Sequence, residues 1–269
     1  MRIFHIKIVW KNLLAVLFLV IAFQSNVAAR EYYVYVATES EDEVALVKFD
    51  EKQATVAKHI PVGVWPVEIE GPHGITVSPD GQTWYLSMAH GKPFGYVYKF
   101  KTGTDEMVGR VQLGLFPATM QVSPATGLLY VVNFNLHGDH VPSTVSVVDP
   151  ESMEEIQRIQ TGVMPHGSRL SPDGLKHYSV AMMDDELFEI DALTMEVSRR
   201  LNVAGATPAG NTGMANLQNM QHAKPRAKPT WATPHPKKPL VYVANNGANE
   251  IVEIDLNAWK VTRRFPTAP

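Results

Sequence analysis

The sequence contains no cysteine. That one absence excludes disulfides, thiolate metal sites, iron–sulfur clusters, cysteine nucleophiles and covalent haem attachment. Acidic side chains outnumber basic ones, 27 to 24, and no basic run occurs. Nucleic acid is therefore not an expected partner. Gly-x-Ser-x-Gly, His-Glu-x-x-His, the P-loop and the dinucleotide fingerprint are all missing, so no nucleotide is expected as a cofactor; nor is haem, since no haem attachment motif is possible without cysteine. Beyond residue 23 no apolar run approaches the roughly 20 residues that a membrane-spanning helix needs. No long helical period appears. What remains is a globular composition, with 45% hydrophobic and 19% charged residues.

The N-terminus carries Lys7 and Lys11, then an unbroken apolar run from Leu13 to Phe23, then Ser25-Asn-Val-Ala-Ala29. A basic start, a short apolar core and a small-residue exit predict a secretory signal peptide over 1–29. An uncleaved anchor is the alternative. The mature chain, 30–269, is expected to be periplasmic or secreted, without a stable membrane span. Arg2, Lys7 and Lys11 are the only charged side chains in the signal. Without them 21 basic residues face 27 acidic ones, a net charge of −6.

Internal repetition is the main signal. Gly71-Pro-His-Gly-Ile-Thr-Val-Ser-Pro-Asp-Gly81 aligns with Phe116-Pro-Ala-Thr-Met-Gln-Val-Ser-Pro-Ala-Thr-Gly127 and with Met164-Pro-His-Gly-Ser-Arg-Leu-Ser-Pro-Asp-Gly174. Lys228-Pro-Thr-Trp-Ala-Thr-Pro-His-Pro236 is a weaker copy. The leading prolines, Pro72, Pro117, Pro165 and Pro229, stand 45, 48 and 64 residues apart. The first two spacings fit a four-stranded propeller blade of roughly 40–50 residues. The third contains an insertion near 204–228, rich in Gly, Asn, Pro and Gln. Within each repeat the Ser-Pro-Asp-Gly turn separates short alternating segments. These predict blades near 32–60, 75–113, 118–159, 167–201 and 230–265. The fold class is thus all-β, a β-propeller of four-stranded antiparallel blades. A β-sandwich would not repeat this punctuation at blade spacing.

Tyr130-Val-Val-Asn133 and Tyr242-Val-Ala-Asn245 on second strands, the Ser-Pro-Asp-Gly turns, Val145-Ser-Val-Val-Asp149 and Ile251-Val-Glu-Ile-Asp255 resemble the YVTN-repeat β-propeller family. The resemblance covers about 32–266. It is specific for fold and says little of function, since such propellers serve as enzymes, binders and scaffolds. It implies seven or eight blades. Only three strands are predicted before Pro72, giving 19 strands in about five blades. The segment is therefore expected to be a C-terminally truncated part of a larger ring. A small open or partner-completed ring is the alternative, since closure removes sheet edges.

A blade runs down, up, down and up, so the loops joining strands two and three share a face with the connections between blades. His73 and His166 follow leading prolines, His90, His137 and His140 lie in second-to-third strand loops, and His222 lies in the insertion. All six are expected on one face, at the channel mouth, as candidate metal ligands. Asp139 and Met183 occupy loops on that face, and Trp231 is placed at the channel rim; these three are candidate ligand-binding residues. His59, His177 and His235 read as structural. Asp184, Asp185 and Glu186 read as a solvated turn. Imidazole and thioether without thiolate suit copper better than structural zinc. Pro165-His-Gly167 with its following turn also resembles, loosely, the copper-bearing propellers of the nitrous oxide reductase type, from which no ligand is carried over. The expected function is an exported propeller that binds a metal or small molecule at one channel mouth. The alternatives are a metal-free scaffold binding an envelope protein, and a propeller enzyme of oxidoreductase or lactonase type. For the enzyme no nucleophile–base constellation is found.

Overall fold

The computed structural model describes residues 30–64, 69–90, 94–205 and 226–268. The expected signal at 1–29 and most of the insertion, His222 included, lie outside these residues. The described chain forms five antiparallel sheets, each meandering in chain order. The first has three strands, β1 (Tyr32–Thr38), β2 (Glu43–Phe49) and β3 (Ala54–Pro61). The second has β4 (Pro72–Val77), β5 (Thr83–Met88), β6 (Tyr96–Lys101) and β7 (Met107–Gln112). The third has β8 (Pro117–Val122), β9 (Leu129–Asn133), β10 (Pro142–Asp149) and β11 (Glu154–Val163). The fourth has β12 (Pro165–Leu170), β13 (Lys176–Ala181), β14 (Glu186–Asp191) and β15 (Glu196–Asn202). The fifth has β16 (Pro229–Pro234), β17 (Leu240–Asn245), β18 (Glu250–Asp255) and β19 (Lys260–Pro266). The leading strands β4, β8, β12 and β16 lie beside one another in that order, and β1 lies beside β4. Leading strands thus ring a common axis, while β7, β15 and β19 carry mostly exposed side chains at the rim.

The five sheets repeat one pairing scheme. Each leading proline sits opposite the end of the second strand: Pro72 with Met88, Pro117 with Asn133, Pro165 with Ala181, Pro229 with Asn245. Tyr35, Tyr85, Tyr130, Tyr178 and Tyr242 mark the same place on the five second strands. Each faces a third-strand residue after which the pairing with the fourth strand shifts: Leu46, Lys99, Val147, Glu189 and Glu253. Such a bulge adds local twist. In the last two sheets Ser198 and Thr262 donate to the Glu189 and Glu253 carbonyls there, at 3.2 Å each. The leading strands begin at their prolines, three residues before Ile75 in the second sheet and one or two residues before the expected starts in the others. Proline lacks an N–H but tolerates the first position of a strand.

The core is not central. It is divided among the faces between successive sheets. Val44, Ile60 and Val62 meet Trp84, Leu86 and Phe100. Tyr85 and Val97 meet Met120, Val131 and Val148. Val132 and Val145 meet Leu170 and Ile190. Val180 and Leu187 meet Val241, Val243 and Ile254. Each face is also tied to the next blade's third-to-fourth strand turn. Tyr35 donates to Asp105 at 2.8 Å, Lys99 to the Pro150 carbonyl at 2.6 Å, Tyr130 to the Ala192 carbonyl at 2.9 Å, and Arg199 to the Leu256 carbonyl at 2.9 Å.

The Asp184–Glu186 segment is not a solvated turn. Asp185 is buried and accepts the N–H groups of Arg226, Ala227 and Lys228 at 2.8, 2.9 and 2.9 Å, the residues that lead into Pro229. Asp184 accepts from Val163 N–H at 2.6 Å, and Glu186 pairs with Arg200 at 2.5 Å. Asp42 does the same work for the second blade, accepting from Glu70 and Gly71 at 3.0 and 2.8 Å. Asp185→Ala strands three backbone donors, of which the Ala227 N–H is fully buried. It is expected to cost about 3 kcal/mol, a typical penalty for unpaired buried polar groups, measured by urea denaturation.

His177 is fully buried against the Tyr130 ring, with centroids 5.3 Å apart, and neither ring nitrogen has a hydrogen-bond partner. Burial, and secondarily the Arg169 charge, pulls its pKa down to about 3 from 6.5. The folded-state value lies below the unfolded one, so folding favours the neutral ring. That stabilisation is complete above about pH 6.5 and is lost as pH falls towards 3. His177→Phe should flatten the decline in unfolding free energy between pH 6.5 and 4, measured by denaturant titration at each pH; an unchanged slope would remove His177 from the acid response.

Candidate functional site

The residue before each leading proline adopts a left-handed backbone: Gly71 at φ 63°, Phe116 at 54°, Met164 at 53° and Lys228 at 44°. A non-glycine residue in this region costs on the order of 1 kcal/mol or more, and such strain clusters at functional positions. At Phe116 it accompanies a ring buried beneath the channel mouth. Phe116 stands edge-on to four rings: His73 at 5.2 Å, His90 at 4.9 Å, His137 at 5.5 Å and Phe134 at 5.5 Å. Ala89 and Ala118 complete this apolar floor, with Met164 and Met182 beside it.

Above the floor lies a hydrogen-bonded chain. His90 Nε2 lies 2.8 Å from Glu39 Oε1, and His90 Nδ1 lies 3.0 Å from His137 Nε2. A carboxylate accepts, so the network assigns the His90 proton to Nε2. Nδ1 then accepts from the His137 Nε2–H. Gly71 leaves room for this ring, since a Cβ there would lie 2.1 Å from His90 Cδ2. Asn135 donates to the Asp139 carbonyl at 2.8 Å and holds the loop that carries His137.

His73 and His166 form the other side of the mouth, with ring centroids 6.3 Å apart. His73 Nδ1 is 4.0 Å from Glu39 Oε2. His166 Nδ1 is 3.0 Å from the Thr230 carbonyl, and its ring stands over Phe134 at 4.6 Å. Burial lowers the pKa of both. At His73 the Glu39 charge opposes that shift, while His166 and His90 add to it; at His166 the Thr230 carbonyl opposes it. Both rings are therefore held neutral near pH 7, the form in which imidazole donates a lone pair.

The mouth thus gathers four of the six histidines read as ligands. His140 lies on the same loop as His137, exposed. Asp139 is exposed as well and takes part through its backbone. Met183 is half-buried and hydrogen-bonds through its backbone N–H to Val163; Met182 is the member of the pair that joins the floor. Trp231 lies 6.4 Å from His166 with Arg169 over its ring at 4.6 Å. His235 accepts N–H groups of Lys237 and Lys238 in a turn, and His59 pairs with Glu43. Glu39, Phe116 and Phe134 were not singled out from sequence. Glu39 follows from the same topological rule, because it sits in the second-to-third strand loop of the first sheet. Among the described residues no three His, Asp or Glu side chains converge closely enough to enclose a metal ion.

No family model and no curated protein sequence matches the chain, so the YVTN-repeat resemblance rests on the residues quoted above. Solved structures do match. Hydrazine synthase of Kuenenia stuttgartiensis superimposes with a TM-score of 0.67 at 18% identity, over 87% of this chain and 71% of that one. A functionally unknown protein from Desulfotomaculum acetoxidans DSM 771 gives 0.62 at 11% identity, over 86% and 64%. A chain of the mitotic checkpoint complex gives 0.65 at 12% identity, over 88% and 61%. At these identities the likeness concerns the fold alone. With the repeated four-stranded sheets it defines the class: this chain has the β-propeller fold. Among the described residues no helix is long and apolar enough to cross a membrane.

Glu39→Gln removes the charge that holds the His73 pKa up. His73 is expected to titrate at lower pH in the variant, read from its ring-proton chemical shifts; an unmoved midpoint would uncouple the two residues.

Proposed function

We propose that this protein is an exported propeller that binds a ligand at the imidazole-lined mouth, a transition metal such as copper being the ligand its donor set suits. The observation that carries the reading is the Glu39–His90–His137 chain. A metal-ligating histidine characteristically donates its other ring N–H to a carboxylate, which fixes ring orientation and raises ligand basicity. Glu39 stands to His90 in that relation and leaves the His90 Nδ1 lone pair inward; a metal bound there would displace the His137 Nε2 proton, and His137 would change tautomer to become the second donor. Imidazoles without thiolate suit zinc, iron and nickel as well as copper, and copper heads the affinity order of the divalent series. The remaining coordination positions fall to solvent, to a substrate, or to His140 on the same loop. His73 and His166 flank the opening as neutral rings. If the metal is redox-active, the open positions admit oxidase or reductase chemistry.

A metal-free interaction propeller of the cell envelope is the second reading. It is favoured by the first sheet, where Tyr33, Val34, Val36 and Val56 are exposed.

Metal content separates the two. The full chain, loaded with copper and stripped of loose ions, is expected to retain about one tightly bound ion. His90→Gln with His137→Gln should abolish retention. Glu39→Gln should weaken it roughly 10–100-fold, as loss of an outer-shell partner does. Retention should also fall as pH drops through about 6.5, where imidazoles protonate. No copper in a folded sample would sink the metal reading and leave the histidines to a structural role.

A further inference from the structure

The four leading strands are the inner edges of their sheets, and their fifth residues are polar in every repeat: Thr76, Gln121, Arg169 and Thr233. His73 and His166, second residues of their strands, stand at the mouth. The fifth residues lie three positions further in, roughly 10 Å of extended strand. Arg169 is the one cation at this level, and the four leading strands contain no acidic residue. Arg199, half-buried as Arg169 is, has Glu189 as its counter-ion. Arg169 pairs with no carboxylate among the described residues, and the one acid outside them is Glu68, in the connection between the first and second sheets. Of the five N–H groups of its guanidinium, one nitrogen donates to the Ser168 carbonyl at 2.8 Å. The head lies over the Trp231 ring, 4.6 Å from its centroid, and tryptophan offers no acceptor oxygen. Burial lowers the Arg169 pKa with no carboxylate opposing it, and the charge is felt at the buried His177. A half-buried charge is costly until it is paired. Gln121, one strand back at the same level, accepts the Leu170 N–H through Oε1 at 2.9 Å. A backbone N–H faces that oxygen, so the amide NH2 turns the other way as a further donor.

We propose that Arg169 anchors an oxyanion site on the inner strands, which takes a small ligand through a carboxylate or phosphate group. A planar guanidinium fork pairs with either group through two parallel N–H···O bonds. Trp231 holds the cation in place by its ring face. The ligand supplies the negative charge and the acceptor oxygens that the surrounding strands lack. The proposal is independent of a metal at the mouth, because none of the groups read there as metal donors takes part in it.

The test uses the full chain, stripped of metal and isotopically labelled, in sodium chloride that is exchanged stepwise for sodium phosphate or sodium acetate at constant ionic strength. At least one of the two oxyanions is expected to shift the Arg169 Nε–H resonance saturably and to raise the melting temperature. The tighter binder of the two identifies the group. Arg169→Gln should weaken binding about tenfold or more, as loss of a charge-assisted pair does, and the oxyanion should no longer raise the melting temperature. Arg169→Lys keeps the charge and loses the fork, so it too should bind more weakly than the unaltered chain. It carries the test if Arg169→Gln does not fold. An Arg169 resonance that neither oxyanion moves would overturn the proposal. So would undiminished binding in a folded Arg169 variant, since the ion would then sit elsewhere.

Discussion

Every feature of this molecule depends on burying one sheet face against the next. A single four-stranded sheet has two faces and cannot shield both. Here each interior face is covered by its neighbour, through clusters such as Tyr85 and Val97 against Met120 and Val131. Area burial at about 25 cal/mol per Å² is non-directional, so apolar contact alone would let the sheets slide. The polar ties from Tyr35, Lys99, Tyr130 and Arg199 to the following turn fix the offset between blades. The aspartates at 42 and 185 fix where the next leading strand begins. Sheet spacing, offset and chain direction are then all set, and the loops on one face have a determined place.

The mouth follows from that placement. Phe116 is held in a left-handed backbone ahead of Pro117 and presents its ring under three imidazoles. The apolar floor raises the cost of charge at His73 and His166, and Glu39 offsets it at His73. His73 and His166, held neutral beside a carboxylate, can offer lone pairs to the ligand proposed above. Among the described residues, the positions that are buried as Trp84 and Leu86 in the second sheet are exposed as Val34 and Val36 in the first.

Much of the fold was legible because propeller strands are short, alternating and punctuated by turn residues whose backbone preferences are local. The Ser-Pro-Asp-Gly turns behave as read: Gly81 and Gly174 adopt φ of 71° and 75°. The leading strands β4 and β12 were read two or three residues late, because a proline followed by His-Gly does not alternate. Asp185 was misread because a carboxylate beside another carboxylate looks solvated; its three partners lie about 40 residues further on.

By itself the sequence determined the repeat, the strand punctuation and the face that carries His73, His90, His137 and His166. Each of these is encoded by neighbours a few residues apart or by the alternation of strand direction. Only the tertiary structure decided which histidines meet. His90 and His137 come together because blades two and three pack side by side, whereas His140, three residues from His137, points to solvent. Glu39 joins them from 51 residues away. Such encounters are set by sheet-to-sheet packing, a long-range interaction of apolar faces that leaves no mark in the residues around each histidine.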